Sequence, residues 1–165
     1  MIFKKLYDLK NWKSIDVEFS SLEKQFKDIP NEAGLYMIFT NTPKNVFQKL
    51  EFINKKGAVD FNNRIKLSES TPNELLIIQI NRNMYCVYIG HQKNLRQRFS
   101  EHFKGSIGTG CLSLSEYKVL SEQKWKFYYF EISNLEKNIR DSNMLRTILE
   151  NNIRAHFGWP ILCAK

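Results

Sequence analysis

Short stretches of apolar residues recur along the chain and predict buried β-strands. Four of them stand out, at residues 35–39, 75–80, 84–89 and 124–132. The first is apolar throughout, so the strand that carries Tyr36 is expected to be buried on both faces. Strict alternation in the third would place Tyr88 on the same face as Cys86. Val87 and Ile89 would then share the opposite face. A short polar link between the second and third stretches predicts a β-hairpin.

Apolar residues at helical spacing predict several helices. They cover residues 20–28, 92–103, 112–120 and 142–157, and a further short helix is expected near 44–54. In the second of these helices, Leu95, Phe99 and Phe103 recur at every fourth position and form an apolar stripe. A flexible loop from Gly105 to Gly110 is expected to end that helix.

The order of these elements predicts an α/β fold of the α+β type, in which helices flank a small, largely antiparallel central sheet. With 165 residues the chain has the length of one domain, and we assign residues 1–165 to a single domain. Residues 41–83 are mostly polar at their start and centre and separate the first predicted strand from the strand pair. We interpret this stretch as an insertion within the domain.

The composition indicates a basic globular protein. Lys and Arg number 25 against 17 Asp and Glu, which gives a net charge of +8 and a pI near 9.4 and favours polyanionic partners such as DNA. The apolar stretches are shorter than the roughly 18 residues of a membrane span and no secretory signal is present, so we expect no membrane association and a cytoplasmic location. Cys86, Cys111 and Cys163 are widely spaced and lack the CxxC pattern of a zinc ribbon.

Glycine and polar residues cluster at the ends of two predicted strands. Residues 34–36 read Gly-Leu-Tyr where one strand begins, and residues 88–90 read Tyr-Ile-Gly where another ends. The helix that follows carries Arg98 and His102, which lie one turn apart on a face displaced from the apolar stripe. A guanidinium group can bind a phosphate, and an imidazole can move a proton.

Together these motifs resemble the GIY-YIG endonuclease superfamily, over residues 34–39 and 84–163. The long separation between the two tripeptides is similar to that of restriction-enzyme members of the family. The family carries a metal-binding Glu on a later helix, which Glu150 matches, and then a Pro and a structural Asn. Pro160 is present here, but Cys163 stands in the position of the Asn. The resemblance implies five catalytic residues: Tyr36, Tyr88, Arg98, His102 and Glu150.

The resemblance also implies how these residues would hydrolyse a phosphodiester, a reaction in which water attacks phosphorus and the 3′ oxygen leaves. Glu150 would hold Mg²⁺ or Mn²⁺, hard cations that prefer oxygen ligands. Arg98 would contact the scissile phosphate through two N–H groups. Tyr36 would act as general base or position the water, Tyr88 would orient water and phosphate, and His102 would take up or relay the phenol proton. Which of the last three accepts the first proton stays open.

Basic residues close to these motifs are candidates for DNA contacts, namely Lys93, Arg96 and Lys104. A solvated basic face is the alternative interpretation of such a run. Glu150 has an arginine at both i−4 and i+4, so without the motif it would be interpreted as a surface ion-pair residue.

We therefore predict a Mg²⁺-dependent DNA endonuclease and favour a restriction-type enzyme whose insertion contacts DNA. One site cuts one strand, so cleavage of both strands favours a homodimer. Two alternatives stay open. One is a non-catalytic nucleic-acid-binding protein on the same scaffold, which is suggested by Cys163 in the position of the structural Asn. The other is a structure-specific nuclease of repair or of a mobile element.

Overall fold

A five-stranded antiparallel sheet forms the centre of the part of the chain that the structure describes. This computed structural model describes residues 2–53, 56–70, 79–81, 83–106, 109–136 and 138–163. The strands are β1 (Lys13–Val17), β2 (Gly34–Thr40), β3 (Gln79–Asn81), β4 (Met84–Gln92) and β5 (Trp125–Glu131). They lie in the order β1-β5-β2-β4-β3, and all neighbouring strands are antiparallel. The predicted fold class is therefore confirmed.

Seven α-helices surround the sheet within these described ranges. They are α1 (Ile2–Tyr7), α2 (Leu22–Asp28), α3 (Lys44–Gln48), α4 (Phe61–Glu69), α5 (Leu95–Lys104), α6 (Lys118–Ser121) and α7 (Asn143–Phe157). The predictions of α2, α5 and α7 are confirmed. Asn94 and Ser142 cap α5 and α7 because their side chains accept N–H bonds from the first turn. Among the described helices, none combines the length and the apolar character that a membrane crossing requires.

A β-bulge in β4 changes which of its side chains share a face. Ile38 of β2 pairs with Tyr88, but the next pair joins Phe39 to Cys86, so Val87 is the extra residue. The prediction that Cys86 shares a face with Tyr88 is therefore wrong, because the bulge interrupts the two-residue alternation. Cys86 instead joins Ile89 in the same buried cluster, while Val87 lies in the other.

Both faces of the sheet are buried, as the apolar sequence of β2 predicts. Tyr36 and Ile38 belong to a large cluster that also contains the apolar stripe of α5. Leu35, Met37 and Phe39 face a second cluster, which α1 and α7 cover. The two helices that carry the predicted site residues, α5 and α7, therefore lie on opposite faces of the sheet.

The stretch predicted as an insertion contributes to the first of these clusters. Phe47 of α3 and Phe61 of α4 are buried in it, with ring centroids 5.6 Å apart. The helix expected near 44–54 is shorter than predicted, and α4 was not predicted at all. Of the predicted strand 75–80, residues 75–78 lie outside the described residues. The assignment of the whole chain to one domain stays a prediction.

Two further regions differ from the sequence-based expectations. The prediction of a continuous helix over 112–120 is wrong. This stretch contains a 3-10 turn at Leu114–Glu116 and the short α6, because the backbone of Ser113 is left-handed and that of Tyr117 is extended. Near the N-terminus, α1 and β1 were not predicted because their short sequences mix charged and apolar residues without a clear period.

Candidate active site

The two tripeptides meet because each glycine leaves room for a group from another element. Gly90 lies opposite Tyr36 in the pairing of β2 with β4, and a Cβ atom on Gly90 would lie 2.3 Å from the Tyr36 hydroxyl oxygen. A Cβ atom on Gly34 would lie 2.5 Å from both Leu95 Cδ1 and the Phe130 carbonyl oxygen. Gly90 therefore leaves room for the tyrosine, and Gly34 lets α5 pack closely on β2.

The helix α5 brings two of the predicted residues to the hydroxyl of Tyr36. Arg98 Nε donates to the Tyr36 oxygen at 3.0 Å, and His102 Nε2 lies 3.0 Å from the same oxygen. All three side chains are buried, with Tyr36 only 1% exposed. Burial raises the pKa of Tyr36 well above its ordinary value, while the Arg98 guanidinium opposes that rise.

His102 is fully buried and has a partner at each ring nitrogen. Its Nδ1 accepts the backbone N–H of Leu112 at 3.2 Å, opposite the Tyr36 contact at Nε2. Burial, and then the positive charge of Arg98, hold the pKa of His102 well below its ordinary value. The imidazole is therefore neutral in the folded protein.

Arg98 is more fully engaged than the sequence suggested. Besides Tyr36, its N–H groups donate to Glu101 Oε2 at 2.8 Å, to the Thr109 carbonyl at 3.0 Å and to the Gly110 carbonyl at 3.3 Å. Four of its five N–H groups therefore have acceptors within the chain. A phosphate contact through two N–H groups of Arg98 stays a prediction, and it would replace at least one of these bonds.

Tyr88 lies beside this cluster and is less buried than Tyr36. Its ring stacks on that of Tyr36, with centroids 6.1 Å apart, and lies 4.9 Å from the ring of His102. Burial raises the pKa of Tyr88. Arg98 lowers it, whereas Glu150 raises it. The Arg98 guanidinium therefore lowers the pKa of both phenols.

The outer edge of β4 explains how residues from the opposite face reach the tyrosines. Beyond the part that β3 covers, this edge binds groups from α7 and from the segment that follows it. Leu162 N–H donates to the Val87 carbonyl at 3.0 Å. Cys163 Sγ accepts the Ile89 N–H at 3.2 Å and donates to the Ile89 carbonyl, which also accepts Arg154 Nη2 at 2.9 Å. These bonds satisfy an edge that would otherwise be unpaired.

Glu150 is held at the end of the same edge. Its Oε1 forms an ion pair with Arg154, and its Oε2 lies 3.7 Å from His91 Nε2. The side chain is 13% exposed. Burial raises the pKa of Glu150, whereas Arg154, the backbone of His91 and Arg98 lower it.

Four of the five residues predicted as catalytic are in contact, and the fifth lies at the end of β4. Arg98 and His102 contact Tyr36, and the ring of Tyr88 stacks on it. Glu150, on α7, lies beside His91 near the end of β4. Arg98 lowers the pKa of Glu150, and Glu150 raises the pKa of Tyr88. The chemical roles of the five residues stay predictions.

The carboxylate of Glu150 fits a hard divalent cation. Arg154 occupies one oxygen, and the other faces an imidazole at a distance too long for a hydrogen bond. Among the described residues, no group of three or more His, Cys, Asp and Glu side chains could hold a metal ion by itself. Such a carboxylate is typical of a magnesium site that is completed by water and phosphate.

Sequence reasoning missed the positions of His91 and Arg154 beside this carboxylate and the bonds of Cys163 at the edge of β4. His91 follows the Tyr-Ile-Gly tripeptide directly, which is the one signal that could have identified it. Arg154 was noted only as an ion-pair partner, and Arg146 at the other neighbouring turn pairs with Asp141 instead. Cys163 matches both the N–H and the carbonyl of Ile89, because a thiol can accept and donate.

Two of the three predicted DNA contacts are engaged within the chain. Arg96 Nε donates to the Ile29 carbonyl at 2.8 Å, at the end of α2, and the guanidinium lies 5.7 Å from the Phe26 ring centroid. Lys104 forms an ion pair with Glu23. Lys93 is exposed just before α5. The prediction of DNA contacts stays untested, but Arg96 has a structural role that the sequence did not reveal.

A comparison with known protein families gives one match. The model of the GIY-YIG catalytic domain matches residues 75–156. This range contains Tyr88, Arg98, His102 and Glu150, and it begins after Tyr36. No curated protein and no solved structure matches the chain.

Proposed function

Because the chain belongs to the GIY-YIG endonuclease superfamily, we propose that it is a divalent-metal-dependent DNA endonuclease. The observation that carries this proposal is the convergence of the predicted residues from both faces of the sheet. Arg98 and Tyr36 meet on one face, and Glu150, from the other face, lies beside His91 near the end of β4. A carboxylate, a guanidinium and two phenols at one place are the groups that phosphodiester hydrolysis requires.

Members of this superfamily generally depend on a divalent metal ion, and we propose Mg²⁺ or Mn²⁺ at Glu150. Such an ion would neutralise negative charge on the phosphate and on the leaving 3′ oxygen. Arg154 fixes Glu150 by holding Oε1, so that Oε2 is the oxygen presented to a ligand. The carboxylate is thus oriented before substrate arrives.

The phenols act on the attacking water. In a first step the phenol releases its proton to solvent, which the raised pKa of Tyr36 disfavours and the Arg98 guanidinium favours. The water oxygen then forms a bond to phosphorus, the water proton passes to the tyrosine phenolate, the bond from phosphorus to the 3′ oxygen breaks, and that oxygen takes a proton from solvent. We propose Tyr36 for this acceptor, because Arg98 Nε and His102 Nε2 both lie 3.0 Å from its oxygen and would stabilise a negative charge there. Tyr88, stacked on it, orients the water.

We further propose a restriction-type enzyme that acts in the cytoplasm. The long insertion, which adds α3 and α4 to the fold, supports a role in contacting duplex DNA. The three cysteines are unpaired and buried, as suits a reducing compartment. Cleavage of both strands by a single-site domain would need a homodimer, which sedimentation with and without DNA would test.

Incubation of supercoiled plasmid with the protein and Mg²⁺ or Mn²⁺ tests the function. We expect nicked or linear product with the wild type, and none with Glu150→Gln or with chelator. Glu122→Gln is the matched control, because Glu122 is exposed and lies on another element. Discrete fragments would support the restriction type, whereas a preference for branched or damaged DNA would indicate a repair or mobile-element nuclease. Binding of DNA without metal-dependent cutting would contradict the proposal and favour a non-catalytic nucleic-acid-binding protein.

A further inference from the structure

The hydrogen bonds of His102 determine which of its ring nitrogens carries a proton. The Leu112 backbone N–H points at Nδ1 from 3.2 Å. A backbone N–H can only donate, so Nδ1 must present its lone pair and cannot itself carry a proton. A doubly protonated ring would place two N–H groups head to head at this position. The arrangement therefore excludes the imidazolium form.

A neutral imidazole without a proton at Nδ1 carries it at Nε2. The partner of Nε2 is the hydroxyl oxygen of Tyr36, at 3.0 Å. His102 therefore donates to Tyr36, and Arg98 Nε, which has no lone pair, donates to the same oxygen. The phenol oxygen accepts two N–H bonds from α5, and neither partner can accept its proton.

The backbone of residues 109–112 holds both donors, Arg98 and His102, in place. The carbonyls of Thr109 and Gly110 hold the outer N–H groups of Arg98, and the N–H of Leu112 holds His102. Leu112 is itself buried in the core, so its N–H is fixed in place. One short segment thus orients both side chains towards Tyr36.

We propose that His102 is a positioning residue. It is a fixed hydrogen-bond donor that stabilises the phenolate form of Tyr36, and it neither takes up nor relays the phenol proton. The role of His102 in cleavage rests on the proposed nuclease function. The protonation of its ring rests on the hydrogen bonds alone. Because both donors already face the oxygen, the phenolate form of Tyr36 needs no rearrangement of its surroundings. The proton that Tyr36 receives from water must leave towards the substrate side.

Nitrogen NMR of the histidine rings in the intact protein tests the proposal without any DNA. The chain has three histidines, and the signal that disappears in His102→Gln identifies His102. At neutral pH we expect a neutral ring with the proton on Nε2 and a bare Nδ1. A proton on Nδ1, or on both nitrogens, would overturn the proposal, whatever the protein does to plasmid.

Two substitutions test the consequence for the reaction. His102→Gln keeps an N–H donor near the position of Nε2, whereas His102→Leu keeps the approximate volume and has no donor. We expect cleavage to fall less than about tenfold with Gln and roughly a hundredfold with Leu. Equal losses in two folded variants would overturn the donor role. If neither variant folds, the ring protonation in the wild type still decides. A wild type that does not cut would refute the proposed function and leave the NMR result unaffected.

Discussion

The two ends of the site differ in how completely their polar groups are satisfied. At the tyrosine end, Tyr36, Arg98 and His102 are buried and bonded to one another or to backbone. Around the carboxylate end, four buried nitrogen atoms have no hydrogen-bond partner among the described residues: His91 Nδ1, Arg146 Nε, Arg154 Nε and Trp159 Nε1. Beside the tyrosine end, Thr109 Oγ1 is the single buried side-chain atom of the described residues that lacks one.

This difference indicates that the two ends of the site are positioned in different ways. The tyrosine end is assembled by the fold alone, because two glycines and one backbone segment position its groups. The carboxylate end holds one oxygen of Glu150 by an ion pair with Arg154 and presents the other oxygen. We infer that the first end is preorganised, whereas cation and phosphate complete the second.

Substitution of Glu150 should have the largest effect, because it removes the carboxylate that the cation needs. We expect Glu150→Gln to lower the single-turnover rate of plasmid nicking by about a thousandfold. Chelation of the metal should reproduce this loss in the wild type. A Gln variant that cuts at more than a tenth of the wild-type rate would show that the carboxylate end does not hold the ion.

Loss of a phenol hydroxyl should have the next largest effect and should distinguish the two tyrosines. We expect Tyr36→Phe to lower the rate roughly a hundredfold and Tyr88→Phe roughly tenfold, because only Tyr36 has two N–H donors at its oxygen. The measurement is the single-turnover rate at saturating metal. The reverse order would assign the proton acceptor to Tyr88.

A methyl group on Gly90 should destabilise the tyrosine end. Since its Cβ would lie 2.3 Å from the Tyr36 oxygen, we expect Gly90→Ala to lower the free energy of unfolding by about 1–3 kcal/mol. Urea denaturation followed by circular dichroism measures this change. In a Tyr36→Leu background the same substitution should cost less, and equal costs in both backgrounds would show that the two residues are not coupled.

Changes at Cys163 should have the smallest effect and test the cover of the β4 edge. We expect Cys163→Asn to leave the free energy of unfolding nearly unchanged, because an amide can also accept from and donate to Ile89. Cys163→Val should cost about 1 kcal/mol, since it leaves the Ile89 N–H without an acceptor. Thermal unfolding compares the two variants, and a Val variant as stable as the Asn variant would contradict this role of the thiol.

The sequence predicted the parts of the fold that depend on local pattern. The stripe of Leu95, Phe99 and Phe103 identified α5, and the apolar run around Tyr36 identified a strand buried on both faces. The tripeptides and the spacing of Arg98 and His102 identified the residues that meet. These features lie in short stretches of chain, where period and spacing carry the information.

The remaining features depend on contacts between distant segments. The bulge at Val87 arises from the pairing of β4 with β2, and no local pattern in 84–89 indicates it. The bonds of Arg98 to residues 109–110 and of Cys163 to Ile89 join parts of the chain that only the fold brings together. For the same reason the bond of Arg96 to the end of α2 was not predicted.

The central claim is that the cation held by Glu150 lies beside the groups that surround Tyr36. Titration of the protein with Mn²⁺, observed by NMR of the His102 ring and the Tyr88 ring, tests it most directly, because the ion broadens signals of nearby nuclei. The account predicts that both signals broaden in the wild type and stay sharp in Glu150→Gln. Broadening elsewhere in the wild type, with both of these signals unaffected, would contradict it.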